Sequence, residues 1–150
     1  MAKDYQNDQE LFALMKRELF TAVVGDVMDK MGYLRQFLPP EIQPLRDDMV
    51  LVGRAMPVLE ADVFAESFEG ANGPLTNKPF GLMLEALDDL KPGEIYVASG
   101  ASPRYALWGE LMCTRAQILG ATGTIVNGFA RDIPGILELD FPVFATGRYA

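Results

Sequence analysis

EIYVASGASPRYALWGELMCTRAQILGATGTIVNGFARD, residues 94–132, decides the reading of this chain. EIYVASG is a short run of β-branched and aromatic residues. ALWGELMCTRAQILG is amphipathic and closes on Gly120, and TGTIVNG is a second apolar run leading into Phe129-Ala130-Arg131-Asp132. In order, these predict strand, helix and strand, with the two strands parallel in one sheet and joined by a right-handed crossover. Glu110 then falls in the first turn of the helix, and Arg131 and Asp132 just past the carboxyl end of the second strand. Open parallel sheets bind ligands outside the carboxyl ends of their strands, so these residues should face one crevice. A guanidinium and two carboxylates beside the free N–H groups of a helix N-terminus suit a small anion together with a hard cation.

The segments on either side extend the same alternation. Leu11, Leu14, Met15 and Leu19 recur near helical spacing over residues 8–19. Thr21 is placed to cap a second helix striped by Val24, Val27, Met28 and Met31 and ended by Gly32. Pro39, Pro40 and Pro44 keep residues 32–44 extended or looped. MVLVGRAMPVL, residues 49–59, predicts a strand, with Gly53 a bulge and Pro57 marking an edge or an end. Residues 60–79 are polar and aperiodic, which predicts a long loop of the functional or mobile kind. Helical spacing returns over residues 80–90 through Met83, Leu84 and Leu87, and Lys91-Pro92-Gly93 stops it. In the central helix, Leu107, Trp108, Leu111, Met112, Ile118 and Leu119 form a broad stripe expected in the core. Asp132 is placed to cap a short helix over 132–139. The strand over 141–145 that follows must be an edge or be covered by another segment or subunit. The whole predicts one α/β domain with a largely parallel sheet flanked by helices.

Composition narrows the chemistry. The 150 residues fit a single domain, and an apolar fraction of 49% argues for a packed core. No apolar run reaches the roughly 18 residues of a membrane span, and MAKDYQNDQE lacks signal-peptide character, so the expectation is a cytoplasmic protein with no membrane partner. A net charge of −8 disfavours direct nucleic-acid binding. Cys113 stands alone, which removes disulfides and cysteine-ligated zinc, and its place in a helix predicts a buried small hydrophobe. There is no histidine, so imidazole-based triads and histidine-held transition metals are excluded. Carboxylate, Arg, Lys, Tyr and water remain, and they favour Mg²⁺ or Mn²⁺.

Arg131 has the planar fork that grips a carboxylate, and Asp132 beside it is an oxygen ligand for a hard cation. Glu110 can hold a water or move a proton. The blander alternative is that Arg131 and Glu110 pair across the crevice while Asp132 caps a helix. GATG at 120–123 lacks dinucleotide spacing, and no Walker motif is present. Ser99-Gly100-Ala101-Ser102 could present N–H groups at the crevice, bordered by Arg104 and Tyr105.

WGELMCTRAQILGATGTIVNGFARD, residues 108–132, followed by FPVFATGRY, residues 141–149, resembles the RraA-like family. That family contains the regulator of ribonuclease activity A and the class II 4-hydroxy-4-methyl-2-oxoglutarate/4-carboxy-4-hydroxy-2-oxoadipate aldolases. Its pattern, an acidic residue, 20 residues and then Arg-Asp, is met by Glu110, Arg131 and Asp132. Similarity extends to Thr21 and Asp26, Gly53-Arg54-Ala55 and Lys91-Pro92-Gly93. The resemblance implies a swivelling-domain α/β fold, homotrimers or hexamers, and a metal-dependent lyase that releases pyruvate from small 2-keto acids by aldol cleavage or oxaloacetate decarboxylation. It implies Asp132 as the ligand of Mg²⁺ or Mn²⁺ and Arg131 on the keto acid. Backbone N–H groups around Gly109, Leu111 and Met112 would hold the carboxylate, and Glu110 would orient a proton-carrying water. The short branch implies instead a non-catalytic regulator with a ribonuclease partner. A menaquinone methyltransferase label sometimes given to the family finds no glycine-rich cofactor motif after the first strand. Glu110 stands where the aldolases usually have Asp, and Asn127 where Asp is frequent. Aldolases of the family continue into an arm that lends an acidic residue to a neighbour's metal site; set against them, the resemblance implies for these 150 residues either a truncated product or the short branch.

Overall fold

The computed structural model of the chain describes residues 5–62 and 83–149. In chain order its elements are α1 (Asp8–Glu18), α2 (Thr21–Lys30), β1 (Gln43–Pro44), β2 (Arg54–Leu59), α3 (Met83–Asp88), β3 (Glu94–Ser99), β4 (Ala106–Trp108), α4 (Glu110–Ile118), β5 (Gly123–Ala130), α5 (Ile133–Glu138) and β6 (Val143–Arg148). Most of the predicted 60–79 loop, and the start of the predicted 80–90 helix, lie outside the described residues.

The sheet runs β1-β6-β5-β3-β2, with β2, β3, β5 and β6 mutually parallel and β1 antiparallel on β6. The β3–α4–β5 unit is therefore the parallel crossover predicted, and among the described residues Pro57 sits in an edge strand, where a missing N–H costs no ladder bond. The strand predicted over 141–145 forms at Val143–Arg148 and is covered rather than exposed, because Gln43 and Pro44 pair with Ala145 and Phe144. The strand expected from Met49 begins only at Arg54.

The central unit also contains a strand that its periodicity concealed. Ala106–Trp108 was expected to open the helix, but it pairs with Phe129 and Ala130 as β4. Arg131's N–H donates to the Trp108 carbonyl at 2.9 Å, and Gly109 continues extended (φ −151°) before α4 starts at Glu110. Tertiary pairing outweighs the helical pattern here. Leu107 and Trp108 are buried as expected, but from a strand. Leu111 and Ile118 are not core: they are 82% and 71% exposed, seven residues apart on the outer face of α4. Cys113 and Ala116 face inward, with Met112 and Leu119 partly buried beside them.

Side chains alternate across the sheet. Tyr96, Ala98, Val126, Ala130, Val143 and Ala145 turn to the α3–α4–α5 layer, where Leu87, Cys113, Ala116 and Ile136 complete the core. Thr124, the buried polar side chain of this layer, donates its hydroxyl to the Tyr96 carbonyl at 3.0 Å. Ile125 and Phe144 turn the other way and line an apolar cleft beside α1 and α2. Phe20, not Thr21, occupies the N-cap position of α2, and no side chain caps that helix. Its expected stripe is only half used: Val24 lines the cleft, whereas Val27 and Met31 are exposed because Gly25 is the residue packed inward, against the Phe37 ring. Among the described residues no helix is long and apolar enough to cross a membrane.

Candidate active site

β5 ends where its neighbours hold it from both sides. Tyr149's N–H donates to the Ala130 carbonyl at 2.9 Å, and Trp108's carbonyl accepts from Arg131. The next residue, Asp132, lies in the left-handed region (φ 57°, ψ 38°), a conformation that Asp tolerates better than most side chains. That bend takes the chain out of the sheet into α5 and returns the Asp132 carboxylate toward the start of α4. The Glu110 N–H donates to its Oδ2 at 3.4 Å. Asp132 thus occupies the N-cap position of α5 without capping it by a side-chain bond, contrary to the expectation, because its carboxylate is committed to the neighbouring helix.

Arg131 Nε stands 3.6 Å from the same Oδ2. Both side chains are substantially exposed, 61% and 45%, so the pair adds at most about 1 kcal/mol to stability and leaves both groups open to a ligand. The alternative in which Arg131 pairs with Glu110 is not what forms. Glu110's carboxylate lies against α5 instead, with Oε2 only 2.2 Å from where a Cβ on Gly135 would stand.

Gly109 is the floor of the group. It is buried, and an added Cβ would come within 2.7 Å of Asp132 Oδ2, 3.3 Å of Arg131 Cγ and 3.4 Å of Arg131 Nε. Both side chains therefore cross directly over it. Beside them, Leu111 and Met112 present N–H groups with no helical acceptor, since the first bond of α4 runs from Cys113 to the Gly109 carbonyl. Arg131, Asp132 and the α4 N-terminus are thus brought together, and Glu110 joins them through its backbone N–H, with its carboxylate lying against Gly135 of α5.

Farther along the strand ends, the Ser99–Ser102 loop is less available than its sequence suggests. Ser102's N–H donates to Asp62 Oδ1 at 3.0 Å, and Asn127 Nδ2 donates to Ser99 Oγ at 3.1 Å. Glu60, partly buried after β2, accepts from the Tyr96 hydroxyl at 3.3 Å. Burial pushes the Glu60 carboxyl up, and burial followed by the Glu60 charge lifts the Tyr96 hydroxyl well above its ordinary value. Neither residue was singled out in the sequence, because the pairing joins positions 36 residues apart and no local pattern marks it. Gly109 and Gly135 gave no signal as space-making residues for the same reason. Cys113 is inert: burial pushes its thiol up to about 12, and the Trp108 indole N–H donates to its sulfur at 2.8 Å.

Among the described residues no group of three or more His, Cys, Asp or Glu converges to hold a metal ion. At this group Asp132 offers one partly exposed carboxylate, with Oδ2 facing Glu110 N–H and Arg131, which fits a hydrated hard cation held mainly by water rather than a cage of protein ligands.

A family model described as RraA-like, Aldolase/RraA, matches residues 21–150. A Halalkalibacterium halodurans protein named as a candidate 4-hydroxy-4-methyl-2-oxoglutarate aldolase is 28% identical over 140 residues, covering 91% of this chain and 56% of its own length. A solved structure described under novel cellulases from gut-associated microbes is 28% identical with a TM-score of 0.78, covering 99% of this chain and 63% of that one. Streptomyces coelicolor RraAS2, described as an unusual member of the RNase ES inhibitor RraA family, is 22% identical with a TM-score of 0.73, covering 96% and 66%. This chain thus spans between 56% and 66% of the length of these three relatives. With the acid, Arg-Asp and helix-start geometry in place and 130 of its 150 residues under the family model, the chain belongs to the RraA-like family.

Proposed function

We propose that this chain is a divalent-metal-dependent carbon–carbon lyase acting on small 2-keto acids, 4-hydroxy-4-methyl-2-oxoglutarate or oxaloacetate, with pyruvate as product. The observation that carries the reading is the meeting of Arg131, Asp132 and the first-turn N–H groups of α4 across Gly109. Arg131 and the N–H groups of Leu111 and Met112 hold the keto acid's carboxylate, a task suited to a planar fork and a helix start. Asp132 is the residue that would hold Mg²⁺ or Mn²⁺. When bound, the ion supplies an electrophilic sink for charge on the 2-keto oxygen. Arg131 adds fixed positive charge at the same place without a Schiff base or an imidazole.

In the aldol substrate the bond between carbons 3 and 4 breaks as the carbon-4 hydroxyl gives up its proton and becomes a carbonyl. The electron pair passes to carbon 3 and onto the 2-keto oxygen, and protonation of carbon 3 completes pyruvate. Glu110 orients the water that carries the proton. With oxaloacetate, carbon dioxide leaves in place of the second keto acid.

Pyruvate release from both compounds, with Mg²⁺ and with chelator, on wild type and Arg131→Ala, tests the reading. Expected are metal-dependent turnover and a loss of about 10²-fold or more in the variant; turnover indifferent to chelator, or full activity in Arg131→Ala, would overturn it. The net charge of −8 and the likeness in fold to RraAS2 favour a second reading, a non-catalytic regulator that docks on a basic ribonuclease. Folded protein that releases no pyruvate, yet captures such an enzyme equally well as Arg131→Ala, would decide for it.

A further inference from the structure

We infer that Gly135 is a positioning residue that keeps open the place taken by the Glu110 carboxylate on α5. Its catalytic consequence rests on the lyase reading above; its geometry does not. Gly135 is the third residue of α5 and is not among the residues with positive φ, so the backbone makes no demand for glycine there. A glycine inside a helix is in fact less favourable than alanine.

The demand comes from one neighbour. A Cβ at Gly135 would lie 2.2 Å from Glu110 Oε2, 2.3 Å from Cδ and 2.8 Å from Cγ, consecutive atoms of a single side chain. Glu110's own backbone is fixed, since it opens α4 and donates to Asp132. The free end of its side chain is what would yield, at a cost that offsets alanine's helical advantage but is too small to move either helix. An alanine at 135 would therefore evict the carboxylate while leaving both helices where they are. The bare face of α5 determines where the proposed proton-handling group stands relative to Arg131 and Asp132.

Gly135→Ala, Glu110→Ala and the double variant test this as a cycle. For the steady-state rate of metal-dependent pyruvate release, Gly135→Ala should lower kcat about 10- to 100-fold, as displaced catalytic groups do, with KM little changed. In the Glu110→Ala background the same substitution should lower kcat no further. A glycine of merely structural importance would cost as much in both backgrounds, and that result would overturn the inference. Thermal melting supplies a readout that needs no activity. Gly135→Ala should raise Tm by about 2–4 °C more in the Glu110→Ala background than in wild type, because only there is alanine's helical advantage free of the clash. Equal gains in both backgrounds would overturn the inference. Absence of pyruvate release from wild type would refute the lyase reading alone, and the melting cycle would then decide on Gly135.

Discussion

Replacing Gly109 with alanine should weaken metal use while leaving the fold intact, and the structure sets the size of both effects. The residue is extended, so alanine's backbone preferences are met, and the lost chain entropy of glycine is worth about 0.4–1 kcal/mol in favour of the variant. Against that stands a Cβ 2.7 Å from Asp132 Oδ2, where ordinary contact begins near 3.4 Å. The carboxylate must withdraw by about 0.7 Å, which takes it out of reach of the Glu110 N–H it meets at 3.4 Å. Losing that hydrogen bond costs about 0.5–1.5 kcal/mol, so net stability should change by less than about 1 kcal/mol and Tm by no more than about 4 °C. Arg131 approaches the added Cβ no closer than 3.3 Å and should shift far less. The penalty therefore falls on Asp132. The Mg²⁺ concentration for half-maximal pyruvate release should rise about 10- to 100-fold, as when a metal ligand loses its orienting partner, while the KM for keto acid moves by less. Unchanged metal dependence in an active, folded variant would refute the placement of Asp132 as the metal-holding group. A fall in Tm beyond about 10 °C would show instead that Gly109 is needed for packing.

Other outcomes follow from burial. Glu60's folded carboxyl is raised above its usual value of 4.5, so the folded state binds that proton more tightly than the unfolded chain does. Its contribution to stability is full below 4.5 and is lost as pH rises through the folded value; Glu60→Gln, which keeps an oxygen for the Tyr96 hydroxyl, should flatten this part of the curve in melts between about pH 4 and about pH 7. An unchanged slope would remove Glu60 as its source. Ile136→Ala empties a fully buried position between α5 and the sheet and should cost about 2–5 kcal/mol, or about 5–15 °C in Tm, with site geometry retained in the folded fraction.

The parallel core of the fold was readable because its signals are local. EIYVASG and TGTIVNGFA lie on either side of an amphipathic run, and short apolar runs joined by a helix leave few topologies open. What failed was the boundary between pattern and pairing. Ala106-Leu107-Trp108 fits the helical stripe by spacing, yet those backbone groups find better partners at the end of β5, and the helix begins four residues later. Leu111 and Ile118 then fall on the wrong side of the predicted stripe, since a helix that starts at Glu110 is oriented by Cys113 and Ala116. β1 was invisible because two residues carry no period, and its pairing partner is about a hundred positions away.

At the site, the charged residues were legible and their directions were not. A guanidinium and a carboxylate just past a parallel strand are a pattern that spacing can express. Which helix the carboxylate serves depends on one dihedral angle, the left-handed bend at Asp132, which turns its side chain from the helix it precedes to the helix it faces. The glycines fit the same account. Gly109 clears the ground on which Asp132 and Arg131 meet, and Gly135 clears the place that the Glu110 carboxylate occupies. A side chain's absence leaves no chemical signature in a sequence, and its effect appears only when the neighbour that fills the space is known. The sequence therefore announces the reactive groups through what they carry, whereas their arrangement is set by two residues that carry nothing and by a backbone angle that no residue type specifies alone.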